Sequence, residues 1–373
     1  MIPLFEQYPL LRERLPYTPL GEFPTPVQKL AMMGEVLDIG QLYMKRDDLS
    51  GKLYGGNKPR KLEFVLGDAL RSGANEIITF GGAGSNHALA TAIYARHIGL
   101  KSISMLIPQP NARYVRRNLL MSQYCGAELH ACGAGLESAR NMPLVYLATL
   151  VQLLRCRLKK GRSPFLIPPG GSSLLGVAGF VNAAFELRKQ IDNGEMPEPD
   201  YIYVACGTMG TSAGLSLGLR AAKLNSRVIS VRVTSKKFVN AERMINLINN
   251  AASFLHSQDA SFPGLEFSPT EVDIRDDYAG KRYALFTHEG MEAVSLMKKH
   301  ESIKLDGTYT GKTLAALIDD AKSGNLRSKT VLFWNTLNSR DFPDAISSID
   351  YHSLPRNFQR YFVSEVQPLD RDY

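Results

Sequence analysis

The feature that most constrains this chain is a repeated succession of short apolar runs, glycine-containing turns and helical stretches. Glu76-Ile77-Ile78-Thr79-Phe80 reads as a short buried strand. It is followed by the turn Gly81-Gly82-Ala83-Gly84-Ser85-Asn86-His87 and an alanine-rich helix over 88–98. Residues 103–107 predict another strand, Arg113–Tyr124 another helix and Glu128–Ala131 a further strand. A second series begins after the loop Pro168-Pro169-Gly170-Gly171-Ser172-Ser173. It has a helix over 178–190, a strand over 201–205, the turn Cys206-Gly207-Thr208-Met209-Gly210-Thr211-Ser212-Ala213-Gly214, a helix to about Leu224 and a strand over 227–233. Residues 240–275 read as helix and loop, and helices over 290–300 and 313–322 lead to the strand Thr330–Trp334. Such alternation predicts βαβ units and an α/β fold with mainly parallel sheets flanked by helices. A chain of 373 residues is long enough for two lobes with separate cores. Residues 1–40 read as an irregular arm, because each proline of Phe23-Pro24-Thr25-Pro26-Val27 biases its predecessor toward extended backbone. A short strand over 41–46 follows, and 341–373 reads as polar and irregular.

Four stretches carry candidate chemistry. In Tyr54-Gly55-Gly56-Asn57-Lys58-Pro59-Arg60-Lys61-Leu62-Glu63 a lysine stands at a helix start, where Pro59 is tolerated. Neighbouring positive charge would lower its pKa and make the amine nucleophilic. Taken alone, the stretch reads first as a basic helix start facing solvent. The loop Gly207–Gly214 follows a strand and opens a helix, so its backbone amides, with the Thr208 and Thr211 hydroxyls, suit a compact phosphate. Its glycine spacing is not that of a dinucleotide fingerprint, and no lysine follows to make a P-loop. A glycine turn needed only for helix–strand packing is the plainer alternative. Ser85 and Asn86 stand at a strand-to-helix turn, where they would cap the helix or bind a carboxylate. Tyr309 and Thr310, with Tyr283, offer aromatic faces and a neutral hydroxyl in loop-like settings, and Lys312 reads as a solvated lysine.

Composition narrows the function class. The net charge of +8 reflects 44 basic against 36 acidic residues, a modest excess. The basic clusters at Arg113, Arg116 and Arg117, and from Arg155 through Arg162, lack interleaved aromatics, so they read as solvated faces and not as a nucleic-acid platform. Cys125, Cys132, Cys156 and Cys206 form no CxxC pair and no zinc spacing with histidine, so no metal site is expected. Free thiols point to a reducing compartment. The N-terminus lacks a signal-peptide pattern, and no run approaches the length of a membrane span. A cytoplasmic protein with no membrane and no nucleic-acid partner is the expectation.

The motifs occur in an informative order. Phe23-Pro24-Thr25-Pro26-Val27, Lys45-Arg46-Asp47-Asp48-Leu49, the stretch 55–63, Ser85-Asn86-His87, Pro169-Gly170-Gly171-Ser172-Ser173, the loop 207–214 and Tyr309-Thr310-Gly311-Lys312 together cover roughly residues 20–340. In this order they resemble the pyridoxal 5'-phosphate enzymes of the 1-aminocyclopropane-1-carboxylate (ACC) deaminase and D-cysteine desulfhydrase family, which share the tryptophan synthase β-subunit type of fold. The resemblance implies a small domain over 72–168 and a large one from 1–71 plus 169–373, with the cofactor in the cleft between them and a homodimeric assembly. Lys58 would hold the cofactor covalently and later act as the base. Gly207, Thr208, Met209, Gly210 and Thr211 would bind its phosphate, Asn86 its ring oxygen, and Ser85 the substrate carboxylate. Tyr283 and Tyr309 would flank ring and substrate, and Thr310 would face the pyridine nitrogen, leaving it mostly neutral where a carboxylate would keep it protonated.

In that family ACC deaminases carry glutamate after the tyrosine and glutamine after the Ser-Asn pair, whereas desulfhydrase-like members carry threonine and histidine. Thr310 and His87 therefore imply a small amino acid such as D-cysteine as substrate, giving pyruvate, ammonia and sulfide. ACC deamination to 2-oxobutyrate and ammonia is the alternative, and a cofactor-binding protein with little turnover is a third reading. The chain departs from the family at Gly84 (glutamine expected), Leu89 (arginine) and Arg282 and Ala284 (glycines). Asn335-Thr336-Leu337-Asn338 replaces a His-Thr-Gly-Gly pattern.

Overall fold

The computed structural model describes residues 2–132, 138–160 and 163–371. The chain divides into two compact units, Met1–Phe64 with Ser172–Arg340 and Val65–Gly171 with Asp341–Asp372.

The first unit is built on a six-stranded sheet. Its strands are β1 (Val27–Lys29), β2 (Gln41–Lys45), β7 (Tyr201–Cys206), β8 (Arg227–Arg232), β9 (Asp273–Arg275) and β10 (Thr330–Trp334), in the order β1-β2-β10-β7-β8-β9. All neighbours are parallel except β1 and β2. The second unit holds β3 (Glu76–Gly82), β4 (Lys101–Ile107), β5 (Glu128–Ala131) and β6 (Phe165–Leu166), all parallel in the order β5-β4-β3-β6. Helices connect successive strands, as parallel pairing demands. The fold is α/β, as the alternation predicts. Near-continuous apolar strands such as β7 and β10 are the mark of a sheet covered on both faces.

Two terminal segments differ from the expectation of irregular chain. The arm forms the helices Pro3–Gln7, Pro9–Arg14 and Ala31–Leu37. Pro3 and Pro9 start the first two of these, since a first-turn position needs no N–H. Leu4, Phe5 and Leu11 join a core with Val177, Val181 and Met244. Residues 341–372 belong with the second unit, not with the lobe containing Lys58, and form the helices Pro343–Ser347 and Arg356–Val363. The cause is hydrogen bonding to Arg116, which does not face solvent freely. Its guanidinium donates to the carbonyls of Tyr361 and Ser364, while the Tyr361 hydroxyl accepts from Gln109 N. Phe358 and Tyr361 are buried. A helix over Ser138–Lys160, unanticipated from the sequence, lies between β5 and β6 in the chain. The second basic run ends at positions 161 and 162, outside the described residues.

Candidate active site

Strands β2, β10 and β7 run parallel side by side, so the segments leaving their carboxyl ends gather at one edge of the first unit's sheet. Open α/β sheets bind ligands at such edges. The lysine stretch is clamped there by the segment that leaves β10. Asn338 Oδ1 accepts from Gly55 N at 2.7 Å, Thr336 O accepts from Asn57 N at 3.3 Å, and Asp47 O accepts from Gly56 N at 2.7 Å. Gly56 has φ +82, and a Cβ there would sit 2.6 Å from Thr336 O. Only glycine combines that conformation with that approach. The glycines thus make room for the protein's own backbone. The altered Asn335–Asn338 segment supplies the brace.

Behind this stretch lies a buried ionic cluster. The Arg60 guanidinium donates to both carboxylate oxygens of Asp47 at 2.8 and 2.9 Å and to both of Glu186 at 2.9 Å. Lys45 Nζ is 2.6 Å from Glu186, and Trp334 Nε1 donates to Asp47 at 2.7 Å. Burial raises the Glu186 pKa, but Arg60 and Lys45 outweigh it and hold the carboxyl at about 2. Arg60 is two residues beyond Lys58, so the cluster fixes the first turn of the helix Lys58–Arg71.

Lys58 itself is partly exposed, and its Nζ donates to Asn57 Oδ1 at 2.7 Å. Asn57 Nδ2 in turn donates to Thr211 Oγ1 at 2.9 Å, which ties the lysine to the glycine loop. Burial lowers the Lys58 pKa to about 8 against the upward pull of Asp306. Removal from solvent, not the neighbouring Arg60, is the cause, because Arg60 is already neutralised. In the loop, Met209 holds φ +65 directly before the helix Gly210–Ala221, whose first-turn amides have no intrahelical acceptors. Ser172 Oγ bridges Thr208 Oγ1 at 2.8 Å and Gly210 N at 3.3 Å, and Lys61 Nζ donates to it at 3.3 Å. Lys61 is fully buried, and its pKa is pushed well down by burial and then by Lys58. Sequence reasoning overlooked this residue. The only local signal was its place one helical turn after Lys58.

The Tyr309 ring lies against Gly207, 3.5 Å from where a Cβ would be. Its hydroxyl is hydrogen-bonded to that of Tyr283, whose pKa is raised by burial. Ala284, where the resemblance expects glycine, carries φ +63, in the left-handed region that glycine favours. Asp306 organises the adjoining turn. Its Oδ1 accepts from Thr308 N at 2.8 Å and Tyr309 N at 2.6 Å, and its Oδ2 accepts the Thr310 hydroxyl at 2.9 Å. The Thr310 oxygen accepts from Asp306 N at 2.8 Å. Lys312 is fully buried and not solvated. Its Nζ donates to Ala279 O at 2.8 Å, and burial brings its pKa to about 8. This bond ties the loop carrying Tyr283 to the helix that follows Tyr309.

Lys58, Thr211, Gly207, Thr208, Met209, Gly210, Tyr283, Tyr309 and Thr310 all belong to the first unit. Ser85 and Asn86 belong to the second. There Ser85 Oγ accepts from Ala88 N at 3.2 Å and caps the helix Asn86–His97. Asn118 Nδ2 donates to Asn86 Oδ1 at 3.0 Å and to Gly84 O at 2.9 Å, which fixes the Asn86 amide. A Cβ at Gly84 would meet Tyr114 and Val115 at 2.8 Å, so no larger side chain fits there. His87 is buried, with Nε2 3.0 Å from Thr79 Oγ1.

The family described as pyridoxal-phosphate dependent enzyme matches residues 18–336. The chain belongs to that family. This pyridoxal-phosphate enzyme is 33% identical to a D-cysteine desulfhydrase of Yersinia enterocolitica over 330 residues, covering 85% of this chain and 94% of the relative. It is 35% identical over 330 residues to a Pyrococcus horikoshii protein provisionally named 1-aminocyclopropane-1-carboxylate deaminase, covering 87% and 93%. A crystal structure described as an ACC deaminase homologue superposes with a TM-score of 0.76 at 32% identity, over 92% of this chain and 98% of that one. The donor set suits the cofactor. A partly buried amine with lowered pKa would meet its aldehyde, and a helix-opening glycine loop beside a buried lysine would meet its phosphate. No group of histidine, cysteine and acidic residues suited to a metal occurs among the described residues.

Proposed function

We propose that this pyridoxal-phosphate enzyme catalyses β-elimination from a small amino acid, D-cysteine in the first instance: D-cysteine and water give pyruvate, ammonia and sulfide. The observation that carries the reading is the Lys58 amine, brought to about 8 by burial and held by Asn57 against Thr211 of the glycine loop. An amine of that pKa is about one-tenth neutral at pH 7, on the order of a hundredfold more than an ordinary lysine, and the neutral form is the nucleophile toward an aldehyde and the base toward carbon.

Once bound, the cofactor supplies an electron sink for the charge that develops at the substrate Cα. In this reading Lys58 holds the cofactor and later removes the Cα proton. The phosphate is held by the Gly207, Thr208, Met209, Gly210 and Thr211 segment, with Lys61 as a buried countercharge. Asn86, its amide fixed by Asn118, would serve the ring oxygen, and Ser85, at a helix N-terminus, would serve the substrate carboxylate. Tyr283 and Tyr309, joined through their hydroxyls, wall the ring and substrate. Thr310 acts differently from a free hydroxyl. Its proton goes to Asp306, so it can meet the pyridine nitrogen only as an acceptor. Asp306 thereby biases the nitrogen toward protonation, despite the lack of a carboxylate at position 310.

A second reading rests on the Pyrococcus relative and the crystal structure, whose names point to ACC. ACC has no Cα hydrogen, so its opening would need a β-proton step or a nucleophile from Tyr309 or Lys58. A homodimer located in the cytoplasm belongs to the same proposal, and light scattering of purified protein tests the assembly.

Purified protein should show a visible absorbance that borohydride abolishes and that Lys58→Ala lacks. Retention of that band by Lys58→Ala would refute the role of Lys58. Sulfide with pyruvate from D-cysteine, against 2-oxobutyrate from ACC, decides between the substrates. Silence on both would favour a different amino acid or the low-turnover reading.

A further inference from the structure

The helix Ser138–Lys160 presents its faces the opposite way round from an ordinary surface helix. Thr149, Gln152 and Cys156 are buried, Cys156 in a core with Ile78, Ile103 and Met105. Leu147, Leu150, Val151, Leu154 and Leu158 are each at least 50% exposed, and Leu158 reaches 85%. At 3.6 residues per turn these five side chains fall within about 100° of arc, on the side away from Cys156. They make one continuous apolar strip roughly 16 Å long at 1.5 Å per residue. Exposed Arg155 and Arg157 lie along its two margins by the same geometry. The helix sequence contains no aspartate or glutamate, and Lys159 and Lys160 extend its basic end.

We propose that this strip is a peripheral membrane contact, with its aliphatic side chains inserted at the surface of an anionic bilayer and Arg155 and Arg157 paired with lipid phosphates. The assignment rests on what each occupant could offer. A second copy of the chain would set basic margins against basic margins. A strip this short also covers a few hundred Å², against about 1,200 Å² for a stable dimer. A nucleic acid supplies phosphates but no apolar layer for five aliphatic side chains. An anionic bilayer supplies both, and the long basic side chains reach its headgroups from the flanks of an inserted strip. Lying on a bilayer is distinct from crossing one. No helix among the described residues is long and apolar enough to cross a membrane; the sequence expectation of no membrane partner was broader, and the proposal departs from it.

The test is sedimentation of the full-length, cofactor-loaded protein with large vesicles of phosphatidylcholine alone or mixed with phosphatidylglycerol. The protein should partition into the anionic vesicles. Leu150→Glu with Leu154→Glu should lower the partition coefficient at least about tenfold. Arg155→Gln with Arg157→Gln should remove most of its salt dependence. The bound cofactor's absorbance should be unchanged in both, which shows that the fold survives. Equal binding to both kinds of vesicle, or anionic binding that the glutamate pair leaves intact, would overturn the proposal. So would a dimer seen by light scattering that the glutamate pair dissolves, or retention on RNA in place of vesicles.

Discussion

Two sets of buried or partly buried basic side chains lie in the first unit, and they are matched in opposite ways. Arg60 and Lys45 face the carboxylates of Asp47 and Glu186 at hydrogen-bond distance. Lys58, Lys61 and Lys312 donate instead to an amide oxygen, a hydroxyl and a peptide carbonyl. In the first set Arg60 is held charged because Asp47 and Glu186 outweigh its burial, whereas burial lowers the Lys45 pKa even beside Glu186, so the closure is centred on Arg60. The second set is lowered in pKa because neutral dipoles repay too little of the cost of leaving water. Closed charge holds a shape, whereas undercompensated charge is available for chemistry or for an anionic ligand.

The sharpest way to break this contrast is to remove one cation from each set. Arg60→Ala leaves two buried carboxylates facing Lys45 alone and should cost about 3–5 kcal/mol in chemical denaturation. Lys61→Met should leave the stability of the cofactor-free protein unchanged or raised, while weakening its affinity for pyridoxal phosphate about tenfold or more in equilibrium titration. If Lys61→Met unfolds the protein as Arg60→Ala does, the distinction collapses.

Asp306→Asn tests the carboxylate that acts on the open set from a distance. The amide oxygen can still accept from Thr308 and Tyr309, but Lys58 loses the pull that raises its pKa. The midpoint for trapping the cofactor on Lys58 with borohydride should therefore move to lower pH by about half a unit. In the unaltered protein the attachment rate should rise with pH and level off above about 8, as the amine becomes neutral. A flat profile would mean that burial does not set the reactivity.

The smallest effect concerns Lys312. Its folded pKa of about 8 lies below the ordinary 10.5, so between those values the unfolded chain binds more protons and stability rises with pH. Lys312→Met should remove one proton's share of that slope, about 1.4 kcal/mol per pH unit, in denaturation curves of the cofactor-free protein.

The alternating strands and helices were legible because each is a local pattern. The Arg60 cluster was not, since Lys58-Pro59-Arg60-Lys61 looks like any solvated basic turn. Arg60's partners lie 13 and 126 residues away, and Ser172 lies 111 residues from Lys61. The burial of Lys312 was hidden for the same reason. The helices at the N-terminus were missed because the extended backbone expected around Pro24 and Pro26 was carried over the whole arm, although Pro3 and Pro9 stand in first helical turns, where proline is tolerated. Residues 341–372 have no apolar periodicity long enough to announce that Tyr361 would dock on Gln109 and Asn111.

The clamp on the lysine loop has a consequence for how the protein is made. Gly55, Gly56 and Asn57 are translated early, yet the groups that lock them, Thr336 and Asn338, leave the ribosome nearly three hundred residues later. Contacts of such sequence separation form only after the intervening chain has been closed into place. A nascent chain that stops short of β10 lacks the brace for the loop that carries Lys58. In the role proposed for Lys58, competence to capture the cofactor is therefore a late event, and attachment there would report that the strand inserted between β2 and β7 has arrived.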